Sequence, residues 1–62
     1  MKPTPEQFLM GEPYTVNQKR HRFVRPKPYG RPRIEVRQLP AGDLIEQTAV
    51  STRGALDYLN AL

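Results

Sequence analysis

The clearest alternation of polar and apolar residues lies in the middle of the chain. Over Arg33–Arg37 the sequence reads Arg-Ile-Glu-Val-Arg, so that every second residue is apolar. Because successive side chains of a strand point to opposite faces of a sheet, this pattern predicts a half-buried strand. Ile34 and Val36 are expected to face the core, and the three charged residues are expected to face solvent.

A second strand is predicted over Arg20–Arg25, where two apolar residues stand among basic ones. The next seven residues, 26–32, include three prolines, which lack the N–H that a regular sheet requires. We therefore expect the two strands to form an antiparallel pair joined by a long proline-rich loop. A short strand over Tyr14–Asn17 is a further candidate.

A short helix is predicted near the start of the chain. Thr4 suits the N-cap, Pro5 suits the first helical position, and Gln7 stands where a capping-box partner belongs. Phe8 and the two residues after it are apolar, and Gly11 is suited to ending the helix. Such a short helix is unstable alone, so its apolar residues must pack on this molecule or on another.

The last twenty residues, 43–62, support two interpretations. Asp43 and Glu46 have the spacing of a capping box, and the apolar residues after them recur every three or four positions, which predicts a helix. In the alternative, Leu44–Val50 is a third strand and a shorter helix begins at Ser51 or Thr52. The pattern favours a helix more strongly in the second half of this region than in the first.

Together these elements predict an α+β fold: a small antiparallel sheet of two or three strands, a C-terminal helix and a short N-terminal helical turn. The length suits one small domain over residues 1–62, of which residues 1–4 are expected to be flexible. There is no cysteine, and no apolar run approaches the roughly 18 residues of a membrane span. We therefore expect a cytoplasmic protein without disulfides.

The charge distribution is most informative about function. Between Lys19 and Arg37 there are eight basic residues and one acid, a net charge of +7, whereas the remainder of the chain carries −3. Such a polarised chain predicts an anionic partner, either nucleic acid or an acidic protein surface. The predicted contact residues are the cations of the two strands and of the loop between them: Arg20, Arg22, Arg25, Lys27, Arg31, Arg33 and Arg37.

The chain offers little material for catalysis. It has one serine, Ser51, and one histidine, His21. Ser51 lies where a helix is expected to begin, which indicates a capping role. His21 lies between two arginines and is expected to be on the surface. We predict no catalytic, cofactor-binding or metal-binding residue, and a non-enzymatic protein without cofactors.

Two segments resemble a known family. The opening Met-Lys-Pro-Thr-Pro-Glu-Gln-Phe-Leu-Met and the basic stretch through Arg-Pro-Arg-Ile-Glu-Val-Arg are similar to the small transcription regulators of lytic bacteriophages, among them one of a Xanthomonas phage. The resemblance covers the full length and rests on no defined motif. It implies bacterial RNA polymerase subunits as the partner, inhibition of initiation or antitermination as the outcome, and the host cytoplasm as the location. We expect the protein to be a monomer.

The alternative is a direct RNA- or DNA-binding protein, for example a small ribosome-associated component. The basic segment interleaves its cations with His21, Phe23 and Tyr29, a mixture typical of proteins that combine phosphate contacts with base stacking. Phosphates and carboxylates attract the same cations. The sequence therefore leaves the choice between a nucleic acid and an acidic protein open.

Overall fold

The chain folds into one antiparallel sheet and two helices, in a computed structural model that describes all residues, 1–62. The predicted α+β class is confirmed, with four strands where two or three were expected. The strands lie in the sheet in chain order, each antiparallel to the next. The elements are α1 (Pro5–Leu9), β1 (Tyr14–Val16), β2 (Lys19–Val24), β3 (Arg33–Gln38), β4 (Asp43–Ala49) and α2 (Thr52–Ala61).

The predicted cap of α1 is confirmed. The Thr4 hydroxyl accepts a hydrogen bond from the Gln7 N–H at 3.2 Å, and the Gln7 side-chain oxygen accepts one from the Thr4 N–H at 3.0 Å. This reciprocal pair satisfies N–H groups that have no partner within the helix. Phe8 is fully buried and packs on Phe23 of β2, with 6.4 Å between ring centroids. The short helix is thus stabilised by this molecule's own core.

A two-residue turn joins β1 to β2. Asn17 and Gln18 both have positive φ, 52° and 62°, as the turn type that matches the twist of a hairpin requires. The three residues of β1 pair only with Lys19–His21 of β2. The second half of β2 therefore has no strand on its β1 side.

The predicted pairing of β2 with β3 is also confirmed. Phe23 lies opposite Ile34, and His21 lies opposite Val36. Ile34 and Val36 are buried as the alternation predicted, and the charged residues of β3 lie on the other face. The proline-rich segment forms the loop between the two strands.

Of the two interpretations of residues 43–62, the strand followed by a shorter helix is confirmed, and a continuous helix from Asp43 is wrong. Residues 43–49 form β4, which pairs with β3, and the chain becomes helical only after Ser51. A capping box is a local signal, whereas pairing with β3 satisfies a whole row of backbone groups and suits the β-branched residues of this segment. Ser51 is the N-cap of α2, where its hydroxyl accepts a hydrogen bond from the Gly54 N–H at 3.0 Å.

The core lies between the two helices and one face of the sheet. Its six buried apolar residues come from both helices and from the two central strands: Phe8, Phe23, Ile34, Val36, Ala55 and Leu59. α1 packs on α2 and on β2. Since the buried side chains of β2 and β3 all point toward the helices, the opposite face of the sheet has no covering element.

Ile34→Ala is expected to lower the free energy of unfolding by about 2–4 kcal/mol, because the truncation leaves a cavity in the core. Ile34 is 1% exposed, whereas Ile45 on β4 is 49% exposed. Ile45→Ala removes the same atoms and is the matched control, with an expected change below about 1 kcal/mol. Urea denaturation followed by circular dichroism measures both. Equal stability of Ile34→Ala and the parent would contradict the assignment of Ile34 to the core.

Candidate binding surface on the open face of the sheet

The uncovered face of the sheet collects arginines from both central strands. In β2, Arg20 and Arg22 alternate with the inward-facing residues, and in β3, Arg33 and Arg37 do the same. Antiparallel pairing then sets Arg20 directly opposite Arg37. Residues two apart on a strand are about 6.6 Å from each other, and paired strands are about 4.8 Å apart. We call the resulting surface the arginine face; its members are Arg20, Arg22, Arg33, Glu35 and Arg37.

Glu35 is the only acid of the arginine face and lies at its centre. Its carboxylate accepts a hydrogen bond from Arg33 Nη2 at 3.1 Å and lies 3.8 Å from Arg37 Nη2. The Glu35 side chain is only 12% exposed, so these ion pairs are partly shielded from water. Glu35 therefore fixes the orientation of two guanidinium groups, and the face as a whole retains a net charge of +3.

Arg20 and Arg22 have no ion-pair partner. Arg22 lies opposite Glu35 in the register, yet the Glu35 carboxylate is engaged by Arg33 and Arg37 instead. Like charges directly opposite each other on a sheet, as in Arg20 and Arg37, are destabilising. An external anion bound between these arginines would relieve that repulsion. A guanidinium offers a carboxylate or a phosphate two parallel hydrogen bonds.

Three of the seven predicted contact residues do not join the arginine face. Arg25 follows β2 and turns toward the helices, where its Nη2 donates to Thr52 Oγ1 at 2.8 Å and its guanidinium lies 5.5 Å from the centre of the Phe23 ring. Lys27 and Arg31 are exposed in the proline-rich loop. The basic segment of the sequence is thus divided: Arg25 turns away from the arginine face, and Lys27 and Arg31 lie in the loop beyond both strands.

His21 was expected on the surface, and this is wrong. It is 7% exposed, and its Nδ1 is hydrogen-bonded to the Tyr58 hydroxyl of α2 at 2.7 Å. His21 is two residues before Phe23, so alternation along β2 turns both side chains inward, a signal that its charged neighbours obscured. Burial lowers the pKa of His21 and Lys19 lowers it further, while burial and the charge of Glu46 raise the pKa of Tyr58.

The single histidine and the single serine of the chain both make structural contacts. His21 is used in packing β2 on α2, and Ser51 is used as a cap. No three His, Cys, Asp or Glu side chains are grouped so that they could hold a metal ion. Neither helix has the length and apolar character needed to cross a membrane. The sequence prediction omitted Glu35, although its place in the alternating strand already set it among the arginines.

Comparisons with protein-family models, curated proteins and solved structures found no match for this chain. The arginine face itself offers oriented and unpaired guanidinium groups, which form strong hydrogen bonds to carboxylates and phosphates.

Protonation of His21 is expected to destabilise the fold. The folded-state pKa of His21 lies below the ordinary value of 6.5, so the unfolded chain takes up the proton first as the pH falls. The stability due to neutral His21 is complete above 6.5 and is lost as the pH falls from there toward the folded-state pKa. The free energy of unfolding should thus be lower at about pH 5.5 than at about pH 7.5.

Urea denaturation at the two pH values measures this difference. His21→Gln removes the titrating group and should flatten the dependence, since most carboxylates titrate below about pH 5. An unchanged pH dependence in His21→Gln would show that another group is responsible.

Proposed function

We propose that this protein is a non-catalytic regulator that binds bacterial RNA polymerase through its arginine face and so modulates transcription, by inhibiting initiation or by antitermination. The observation that supports a binding role is the set of four arginines on an uncovered sheet face, two of them without an ion-pair partner. The choice of polymerase follows from the resemblance of the sequence to small phage regulators. The partner surface would carry carboxylates.

Two features of the face favour an acidic protein over a nucleic acid. The Phe23 ring, which the sequence offered for base stacking, is turned into the core, so the arginine face has no aromatic platform. Glu35 stands at the centre of the face, where it would repel a continuous row of phosphates. Carboxylates on a protein can be spaced around such an acid, and complementary charges then determine the orientation of the complex.

The four arginines are not expected to contribute equally. Arg33 is already paired with Glu35 at 3.1 Å, so a new ion pair between Arg33 and a partner adds less to the binding free energy. Arg20 and Arg22 have no such compensation. Interfaces commonly depend on a few residues that are fully desolvated, with near-neutral contacts around them. We therefore assign the main contribution to Arg20 and Arg22, with Arg37 beside them.

A second candidate function, direct nucleic-acid binding, is favoured by one observation. Tyr29 is an exposed aromatic in the proline-rich loop, with Lys27 and Arg31 two residues to either side. An exposed ring among cations can stack on an unpaired base while the cations contact phosphates. This arrangement lies in the loop and is separate from the arginine face.

Charge reversal separates the contributions to polymerase binding. Arg20→Glu and Arg22→Glu are each expected to weaken binding to purified bacterial RNA polymerase by at least roughly tenfold, or about 1.4 kcal/mol. Arg53→Glu makes the same charge change on the exposed surface of α2 and should alter affinity by less than about twofold. Biolayer interferometry with immobilised polymerase measures all three. Equal losses in the three variants would argue against a specific arginine face.

Salt dependence distinguishes the second candidate. A protein that binds duplex phosphates loses affinity as salt rises, with a log–log slope of about −0.9 for each phosphate that its cations neutralise. A polymerase interface should show a shallower slope, because a few buried contacts dominate it. Tight binding of free DNA or RNA without polymerase, weakened by replacement of Lys27 or Arg31 in the loop, would support the nucleic-acid function instead. Tyr29→Ala should then also weaken binding.

A further inference from the structure

A groove of about 450 Å³ lies along the second half of β2, on the side where β1 has ended. One wall is the end of α1 and the residues after it, Leu9, Met10 and Gly11. The other wall is the chain from Arg22 to Arg25, together with Lys27. We call this cavity the β2 groove. Its volume lies within the range of cavities that hold small ligands or short segments.

The β2 groove exposes an unpaired sheet edge. Val16 and Lys19 flank a two-residue turn and form a hydrogen-bonded pair, so alternate residues of β2 from Lys19 onward direct their N–H and C=O groups toward β1. His21 is paired with Tyr14 of β1, but Phe23 has no residue of β1 opposite it. The Phe23 N–H and C=O therefore point into the groove.

The chain cannot close this edge by itself. The residue before β1 is Pro13, which has no N–H to offer, and the Glu12 N–H is already bonded to the Gln7 carbonyl of α1 at 3.0 Å. Gly11, with φ of 101°, turns the chain away from the course that a longer β1 would follow. Gly11, Glu12 and Pro13 therefore leave the edge open, and an added strand would supply hydrogen-bond partners for the Phe23 N–H and C=O.

The charges that line the β2 groove are all positive. Arg22, Arg25 and Lys27 contribute to its walls, and no acidic residue does. Arg25 uses one donor on Thr52, so its guanidinium keeps further N–H groups for an incoming anion. Met10, 87% exposed, and Leu9 form an apolar wall across from these cations. A segment with alternating acidic and apolar side chains meets both walls at once.

We propose that the β2 groove binds an extended acidic peptide segment, which adds to the sheet as a short strand beside Phe23. Backbone hydrogen bonds to the Phe23 edge supply part of the affinity. Carboxylates reach Arg25 and Lys27, and an apolar side chain packs on Met10. This site is distinct from the arginine face and gives a role to two basic residues that lie outside it. The two sites share only Arg22, which borders both.

The test is a titration of the full ¹⁵N-labelled chain with a capped peptide that alternates Glu and Val, followed by amide chemical shifts. Three other probes are compared with it: a peptide with Lys in place of Glu, a Glu-Val peptide with N-methylated backbone amides, and a short oligothymidylate of similar charge. At about 150 mM salt, where exposed charges are screened beyond about 8 Å, the Glu-Val peptide should shift the amides of Met10, Gly11 and Phe23. The other three probes should leave these amides unmoved.

Two protein variants locate the site. Lys27→Glu is expected to weaken the affinity for the Glu-Val peptide by roughly fivefold to tenfold, because it replaces an attraction with a repulsion at an exposed loop position. Arg20→Glu makes the same reversal on the arginine face and should change peptide affinity by less than about twofold.

Four outcomes would overturn the proposal. These are no shift at millimolar Glu-Val peptide, shifts confined to Arg20, Glu35 and Arg37, equal binding of the N-methylated peptide, or groove shifts caused by the oligothymidylate alone. The peptide comparison uses only the parent protein, so it decides the question even where a variant fails to fold. None of these outcomes depends on whether polymerase binds the arginine face.

Discussion

The chain has only enough large apolar side chains to cover one face of its sheet. Six apolar residues are buried, and those of β2 and β3 all point toward the two helices. A domain this small buries a modest share of its surface, so too few apolar residues remain to form a second buried layer. Alternation then requires that the other face of β2 and β3 be polar, and the sequence fills that face with arginine. The core and the arginine face are therefore two consequences of one pattern.

This pattern also explains why each half of the chain needs the other. Phe8 of α1 and Leu59 of α2 are buried in the same cluster as Phe23 and Ile34, although they lie near opposite ends of the sequence. The His21–Tyr58 hydrogen bond joins the sheet to α2 beside that cluster. Loss of the buried pair Phe23 and Ile34 would separate both helices from the sheet. The arginines of β2 and β3 would then have no fixed spacing. The geometry of the arginine face thus depends on a packed layer that it does not touch.

Local signals in the sequence predicted some of these elements and not others. The cap at Thr4, the alternation over residues 33–37 and the β2–β3 pairing were predicted correctly, because each depends on short-range chemistry or on strand periodicity. Residues 43–49 were left undecided between helix and strand, because the edge of β3 with which they pair cannot be recognised from the local sequence. Arg25 was grouped with the other arginines because charge counts ignore the face on which a side chain lies. Four of the seven predicted contact residues share one face. The alternation of side chains along β2 and β3 would have been enough to select them.

We propose that the arginines on the open face meet an acidic surface of RNA polymerase. Chemical footprinting with phenylglyoxal, which modifies accessible guanidinium groups, tests it without altering the protein. Mass spectrometry then compares the modification of each arginine in the free protein and in the presence of polymerase. We expect strong protection of Arg20 and Arg22, weaker protection of Arg37, and unchanged modification of Arg53. Protection of Arg53 while Arg20 and Arg22 stay fully reactive would contradict it.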